Sequence, residues 1–254
     1  MKLRSRAILA VLAALALGAA SLRAQGGPPM LTDDPGTPGD GHWEFNLAWT
    51  GQQAPGSTLV GLSLLDANYG VGDRIQINYQ ASWNILRQSG SAEEIGMSDS
   101  QVAVKWRFYD AGETGLQLSM FPRAIFPNPG SGSDRRGTAD PHSSFLLPFE
   151  VRRDFGVVSF NADFGHAFSG SRDDRGWIGG VCLGREVAKG WEVDAEVHVS
   201  ASERLGASED ILNVGTRYDL SKKATLLLAV GRDLHNSAGP RTSLLTFAGV
   251  QLRF

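Results

Sequence analysis

Cysteine is almost missing from this sequence. The 254 residues include a single cysteine, Cys182, so an intramolecular disulfide is excluded and the fold must depend on backbone pairing and burial. Long apolar runs are scarce as well. The clearest one, AILAVLAALALGAA at residues 7–20, is shorter than the roughly 20 residues that a transmembrane helix needs. A protein that spans a membrane with helices is therefore excluded.

The apolar run at 7–20 has the surroundings of a secretory signal peptide. Three basic residues precede it, and the small residue Ala24 follows it in the segment SLRAQ, where a signal peptidase cleaves. We predict a signal peptide over residues 1–24, with a retained anchor helix as the alternative. Its removal leaves 20 Lys and Arg against 27 Asp and Glu. Nucleic acid is not expected as a partner, because phosphate binding requires a basic face.

The remainder of the chain alternates between apolar and polar residues. In WEVDAEVHVSA (191–201) one set of alternate positions is apolar and the other is acidic or polar, and a period of two indicates a β-strand. Twelve such segments lie at about 42–51, 58–69, 73–86, 98–110, 114–126, 144–153, 156–168, 176–187, 190–202, 209–220, 223–234 and 242–254. The second and fifth alternate poorly, so ten or fourteen strands are alternatives.

The connections between these segments alternate in length. Long polar connections at 87–100, 128–144 and 169–176 follow odd-numbered segments, whereas tight ones at 70–73, 110–113, 153–156 and 187–190 follow even-numbered ones. Outer-membrane barrels have this asymmetry of short turns and longer external loops. We therefore predict an all-β fold, a transmembrane antiparallel up-and-down β-barrel of about 12 strands over residues 42–254. Its apolar face would contact lipid and its polar face would line the lumen.

The end of the chain supports the same location. The last segment places alternate apolar residues on one face and ends on Phe254, which resembles the C-terminal signal that barrel-insertion machinery reads. We predict localisation in the cell outer membrane, with its lipids and that machinery as partners. Residues 25–41 are predicted to form a periplasmic lead. This Gly- and Pro-rich lead is either ordered and folded toward the barrel mouth or a flexible linker.

Several motifs resemble one known family. LTDDPGTPGDGHWEFN (31–46), YGVGDRIQINY (69–79), RYDLSKKATLLLAVGRDL (217–234) and the terminal Phe254 resemble the MetA-pathway of phenol degradation family of outer-membrane barrels. The resemblance implies a channel or transporter for small solutes, associated in some members with aromatic or hydrophobic compounds. The resemblance supplies no catalytic residue, and no catalytic residue, cofactor or metal is predicted.

The polar faces supply candidate lumen-lining residues. These are Arg74, Gln76, Asn78, Lys105, Arg107, Arg123, Arg152, Asp163, Glu192, Asp194, Glu196, His198 and Arg217. The basic ones gather on segments three to six and the acidic ones on segments seven and nine, on the other side of a closed barrel. We expect a transverse field, in which the opposed charges either pair across the lumen or orient passing solutes. Solvation of the inner face alone is the alternative.

Two other classes of function stay open beside a channel. One is a structural or adhesive barrel without transport. The other is an outer-membrane lipid hydrolase, which would need an outward serine beside an outward histidine such as His166. A triad of Asp194, His198 and Ser200 is not expected, because alternate residues of a strand stand about 6.6 Å apart.

Overall fold

The computed structural model describes residues 27–112, 115–172 and 174–254. The predicted signal peptide, residues 1–24, lies outside the described residues. Regular structure in the described part of the chain is entirely β, and no helix there is long and apolar enough to cross a membrane. The strands are β1 (Trp43–Ala54), β2 (Ser57–Val71), β3 (Ile75–Gln88), β4 (Glu94–Met97), β5 (Ser100–Asp110), β6 (Gln117–Met120), β7 (Arg123–Phe126), β8 (Ser144–Phe155), β9 (Val158–Ser169), β10 (Gly176–Ala188), β11 (Trp191–Ser202), β12 (Ser208–Ser221), β13 (Ala224–Asn236) and β14 (Leu244–Arg253).

These strands form one closed antiparallel sheet. β1 pairs with both β2 and β14, so the first and last strands seal the barrel. The seal ends in two reciprocal backbone hydrogen bonds between Trp43 and Phe254, of 3.0 and 2.9 Å. β4 and β5 share one position beside β3, and β6 and β7 share the next position between β5 and β8. The barrel therefore has 12 strand positions, which confirms the predicted architecture.

Two strand positions of the barrel are interrupted, and a third position, that of β2, is irregular. The predicted segment 114–126 breaks between Met120 and Arg123, where Pro122 has no N–H to donate to the sheet and the Phe121 side chain is buried. The connection predicted at 87–100 is not wholly a loop, because β4 within it pairs with the last part of β3. The weak alternation of the second segment corresponds to an irregularity in β2, where the register shifts between Leu62 and Leu65.

The two faces of the wall differ in polarity as predicted. Large apolar side chains stand on the outside, with Trp49 63% and Phe164 57% exposed. Charged side chains stand on the inside, with Asp194 0% and Glu196 1% exposed. An apolar exterior of this extent is unfavourable in water and suited to hydrocarbon, whereas the closed hydrogen-bond ladder leaves no strand edge unpaired in the membrane.

Aromatic rings cluster at both ends of the wall. At the end with short turns, Trp43 contacts Tyr69 with ring centroids 4.8 Å apart and Trp191 contacts Tyr218 at 6.2 Å. At the opposite end Trp177 stacks on Phe164 at 5.3 Å. Amphipathic rings favour the membrane interface, and two girdles are typical of outer-membrane barrels.

Most long connections lie at the end remote from the chain termini. Residues 127–143 and 170–175 connect strands there, whereas two residues each join β8 to β9, β10 to β11 and β12 to β13 at the terminal end. The exception is the two-residue turn between β1 and β2, in which Gly56 adopts a φ of 76°. At the terminal end the connection 111–116 between β5 and β6 is a second exception, because its six residues equal the connection 170–175 in length. The loop asymmetry predicted from the sequence is thus present at most connections.

Arginine on the outer face provides a test of membrane depth. We expect Val181→Arg, at the middle of β10, to destabilise the barrel by about 2–4 kcal/mol, because a guanidinium at the bilayer midplane is poorly solvated. Val71→Arg at the end of β2 is the control, with an expected cost of about 1 kcal/mol or less near the interface. Both native side chains are exposed. Equilibrium unfolding in lipid vesicles measures the difference, and equal costs would contradict a lipid-facing wall.

Candidate functional site

The N-terminal lead lies inside the barrel. Residues 27–42 precede β1, and Met30, Thr32 and Asp34 within them are buried. The sequence predicted a periplasmic lead over 25–41, either folded toward the mouth or flexible. The described part of that segment lies in the lumen and contacts two parts of the wall, one on β9 and β11 and the other on β5, β7 and β8. This placement defines the candidate site.

One part of the wall binds the lead through its backbone. The Glu196 carboxylate on β11 accepts hydrogen bonds from the backbone N–H of Leu31 (2.8 Å) and of Thr32 (2.8 Å), and a third from the Asn213 side chain (2.9 Å). On β9, Asp163 accepts one from the Asp33 N–H at 3.2 Å. Charge-assisted hydrogen bonds of this type are stronger than neutral ones. These acidic side chains therefore bind the backbone of the lead and need no basic side chain on it.

A second part of the wall, on β5, β7 and β8, binds the lead mainly through the side chains of the lead. The Asp33 carboxylate lies 2.9 Å from Lys105 Nζ on β5 and 3.0 Å from Arg123 Nη2 on β7. Lys105 also donates to the Asp34 carbonyl, and Arg152 on β8 lies 3.4 Å from the Asp34 carboxylate. Two consecutive aspartates therefore meet three cations. This explains the TDDP segment of the lead.

A buried glutamate completes the charge balance around Asp33. Glu150 on β8 is 1% exposed and lies 3.4 Å from Lys105 Nζ and 3.7 Å from Arg123 Nη2, while Ser119 donates to it at 2.5 Å. The Phe121 ring lies 4.6 Å from Lys105 Nζ and 4.3 Å from the Arg123 guanidinium carbon. Glu150 was not among the lumen residues predicted from the sequence, although its position between the outward Phe149 and Val151 indicates an inward side chain.

Small residues in the wall make room for the lead. A Cβ at Gly180 would overlap Thr32 Oγ1, and one at Gly215 would overlap the Met30 methyl group. The wall thus approaches the lead closely at two glycines. Beyond Asp34 the lead leaves toward the terminal end, where Asp40 accepts a hydrogen bond of 2.8 Å from the Gly72 N–H in the turn after β2.

Two cavities flank the lead. One of about 310 Å³ is bounded by the lead, by Phe121 and Phe247, and by an amide-rich wall centred on Asp66. Asp66 accepts hydrogen bonds from Asn46 (2.9 Å) and Asn78 (2.6 Å). The other, of about 1200 Å³, is lined at the terminal end of the barrel by the ends of β10 to β14. Thr37 and Pro38 of the lead and Glu44 of β1 line both cavities, so the two cavities adjoin at the lead.

The predicted lumen residues divide into groups. Those that are inward and buried are Gln76, Asn78, Lys105, Arg152, Asp163, Glu192, Asp194, Glu196 and Arg217. Arg123 and His198 are inward and half-buried, and Arg107 is half-buried at the turn end, bonded to the Asp73 carbonyl at 2.6 Å. Arg74 is the exception, because it lies in the turn before β3 and is exposed. Glu192 and Asp194 stay apart from the lead contacts, with Arg217 Nε 4.0 Å from Asp194.

Comparison with known proteins identifies the fold class. No family model matches the sequence and no curated protein matches it. Among solved structures, the COG4313 outer membrane channel from Pseudomonas putida F1 has a TM-score of 0.73 at 13% identity and covers 91% of this chain and 100% of that chain. The KdgM porin has a TM-score of 0.56 at 9% identity, covering 82% and 99%. The chain therefore has the fold of outer-membrane channels and porins, while its resemblance to the MetA-pathway family stays a prediction.

The charge state of Asp33 gives the lead contact a pH dependence. Burial raises the pKa of Asp33, but Lys105 and Arg123 outweigh it, so the pKa lies below its ordinary value of 3.8. A carboxyl whose pKa is lowered by binding stabilises the bound state above its ordinary pKa and loses that contribution as pH falls through the lowered one. The docked lead should therefore be stable at neutral pH and weaken below about pH 4.

We expect the conductance of single barrels in planar bilayers to rise when pH falls below about 4. In Asp33→Asn the conductance should be high at neutral pH and the acid step should disappear, because no charge remains to titrate at that position. Asp40→Asn, which removes an exposed carboxylate of the same lead, is the matched control and should keep the step. An unchanged step in Asp33→Asn would assign the acid response to other carboxyl groups.

Proposed function

We propose that this protein is an outer-membrane channel for small solutes, whose lumen is closed by its own N-terminal lead. The carrying observation is the Asp33 carboxylate held between Lys105 and Arg123 in the interior. The hydrogen bonds and ion pairs that hold the buried part of the lead involve side chains and no strand pairing, so the lead can leave the lumen without breaking the sheet. A barrel of 12 strands is intermediate between small filled barrels and wide aqueous porins, so displacement of one segment of chain is sufficient to open it.

The class of solute is inferred from the site that the Asp33 carboxylate occupies. Two cations beside an aromatic ring, Phe121, form a site for a carboxylate on a small apolar body, and Phe247 lines the adjoining cavity. We propose that small carboxylic acids, aromatic ones included, compete with Asp33 for Lys105 and Arg123 and so release the lead. Neutral hydrophobic compounds are less suited, because the amide-rich wall around Asp66 would lose its solvation to them.

Benzoate and benzamide test this proposal, since they have the same shape and differ in charge. We expect benzoate to increase the open probability of single barrels at neutral pH, and benzamide at equal concentration to leave it unchanged. In Arg123→Gln the benzoate effect should weaken, because one of the two cations is lost. Single-channel recording at constant ionic strength, with part of the chloride replaced by benzoate in one series and benzamide added at the same concentration in the other, measures both. Equal responses to the two compounds would contradict a carboxylate-operated lead.

The acidic wall provides a second test of passage. Glu192 lines the larger cavity, and Asp194 lies next to it beside Arg217. We expect the double change Glu192→Gln and Asp194→Asn to shift ion selectivity toward anions, because it removes the negative charge of this carboxyl pair and leaves Arg217. The reversal potential in a salt gradient measures the shift. Glu203→Gln in an external loop is the control, and the same potential in all three proteins would show that this wall does not govern passage.

The remaining functional classes have less support. A barrel without transport does not account for cavities on both sides of a polar, displaceable lead. For a lipid hydrolase the candidate base was His166, whose ring lies 4.5 Å from the rings of both Phe168 and Trp177. That setting belongs to the external aromatic girdle. We therefore propose a channel and no enzymatic activity.

A further inference from the structure

Two external connections, the long one between β7 and β8 and the one between β9 and β10, meet at a group of metal-ligating side chains. Asp140 and His142 belong to the connection 127–143, and Asp174 belongs to the connection 170–175. His142 Nδ1 lies 3.0 Å from Asp174 Oδ2 and 3.7 Å from Asp140 Oδ1. One ligand atom from each residue lies within 4.8 Å of the other two. The group is far along the barrel from the Asp33 site and is independent of the lead.

The contact between His142 and Asp174 is close without being a hydrogen bond. Asp174 Oδ2 is shielded from water and accepts no hydrogen bond in the described part of the chain, despite lying 3.0 Å from the imidazole nitrogen. A shielded carboxylate oxygen without a hydrogen bond is costly unless a cation neutralises it. A protonated imidazole supplies charge but not alignment here. A metal ion between the two atoms supplies both.

The surroundings hold the group in position. The backbone N–H of His142 donates to Asp140 Oδ1 at 2.8 Å. The backbone N–H of Asp140 donates at 3.1 Å to Oδ2 of Asp99, which lies between β4 and β5. The second connection is joined to the first by Ser169 Oγ, which donates to the Ser143 carbonyl at 3.3 Å. The side chains of His142, Asp140 and Asp174 are 51%, 44% and 28% exposed, so an ion can enter from outside.

We propose that Asp140, His142 and Asp174 bind a divalent ion of the zinc class and thereby tie the two external connections together. In a tetrahedral zinc site with metal–ligand distances near 2.0–2.2 Å, ligand atoms stand roughly 3.3–3.5 Å apart, and the observed 3.0 and 3.7 Å bracket that spacing. One imidazole and two carboxylates leave a fourth position for water. Calcium fits less well, because it prefers six or more oxygen ligands.

Zinc titration of the folded, tag-free barrel in detergent tests the site. We expect one zinc ion per chain by isothermal titration calorimetry. His142→Ala and Asp174→Asn should each weaken the affinity by at least about tenfold, since even outer-shell partners of a metal contribute about 10- to 100-fold. His235→Ala, which removes an exposed external histidine outside the group, is the matched control and should bind as the native chain does. Heat-shifted gel migration verifies that every variant is folded.

A second measurement reports the link between the connections. Arg135 and Arg136 lie in the first connection and Arg172 and Arg175 flank Asp174 in the second, so trypsin can cut both. We expect zinc to slow cleavage there in the native chain and in His235→Ala, and to leave the rate unchanged in His142→Ala. The absence of stoichiometric binding in the native chain, equal affinity in His142→Ala, or equal protection in that variant would each overturn the proposal.

Discussion

The contact of one carboxylate, Asp33, with two interior cations organises the inside of this barrel. The closed sheet satisfies the backbone of the wall by itself. The charges on the inner face are not balanced by the sheet alone. Lys105 there is 2% exposed and shares its surroundings with the buried Glu150. Two cations, Lys105 and Arg123, against one glutamate would leave an uncompensated positive charge. Asp33 supplies the missing negative charge from a segment outside the sheet.

The lead meets two walls of opposite charge with two different chemical groups. It offers side-chain carboxylates to the basic wall and backbone N–H groups to the acidic Glu196 and Asp163. The opposed charges expected from the sequence are both present, yet they do not pair directly across the lumen, because the lead lies between them. Removal of one partner from a buried ion pair costs about 3–5 kcal/mol. Closure is therefore firm while the pair is intact and weak once another anion replaces Asp33.

The strands of the wall could be predicted from the sequence, and the position of the lead inside the barrel could not. Alternation has a period of two, so it assigned residues such as Glu192, Asp194 and Glu196 to the inner face of the barrel. The number of strand positions followed from counting the alternating segments. The lead has no period. Thr32 and Asp33 gave no direction, because their position depends on contacts with Glu196 and Lys105, which lie 164 and 72 residues away. Arg74 was assigned to the lumen by extending the alternation of β3 one step into a turn, where the rule no longer applies.

Barrel size explains why a segment of chain is needed at all. Eight strands are filled by their own side chains and sixteen enclose a water-filled channel. At 12 positions inward side chains contact others on nearby strands, as the amide network around Asp66 shows, and the centre is left to be filled. A wall of paired strands cannot change its diameter without breaking its ladder of hydrogen bonds, whereas a lead bound through side chains can move. Opening of the lumen thus depends on movement of the lead. The solutes that open it are those that bind the groups that the lead covers, Lys105 and Arg123.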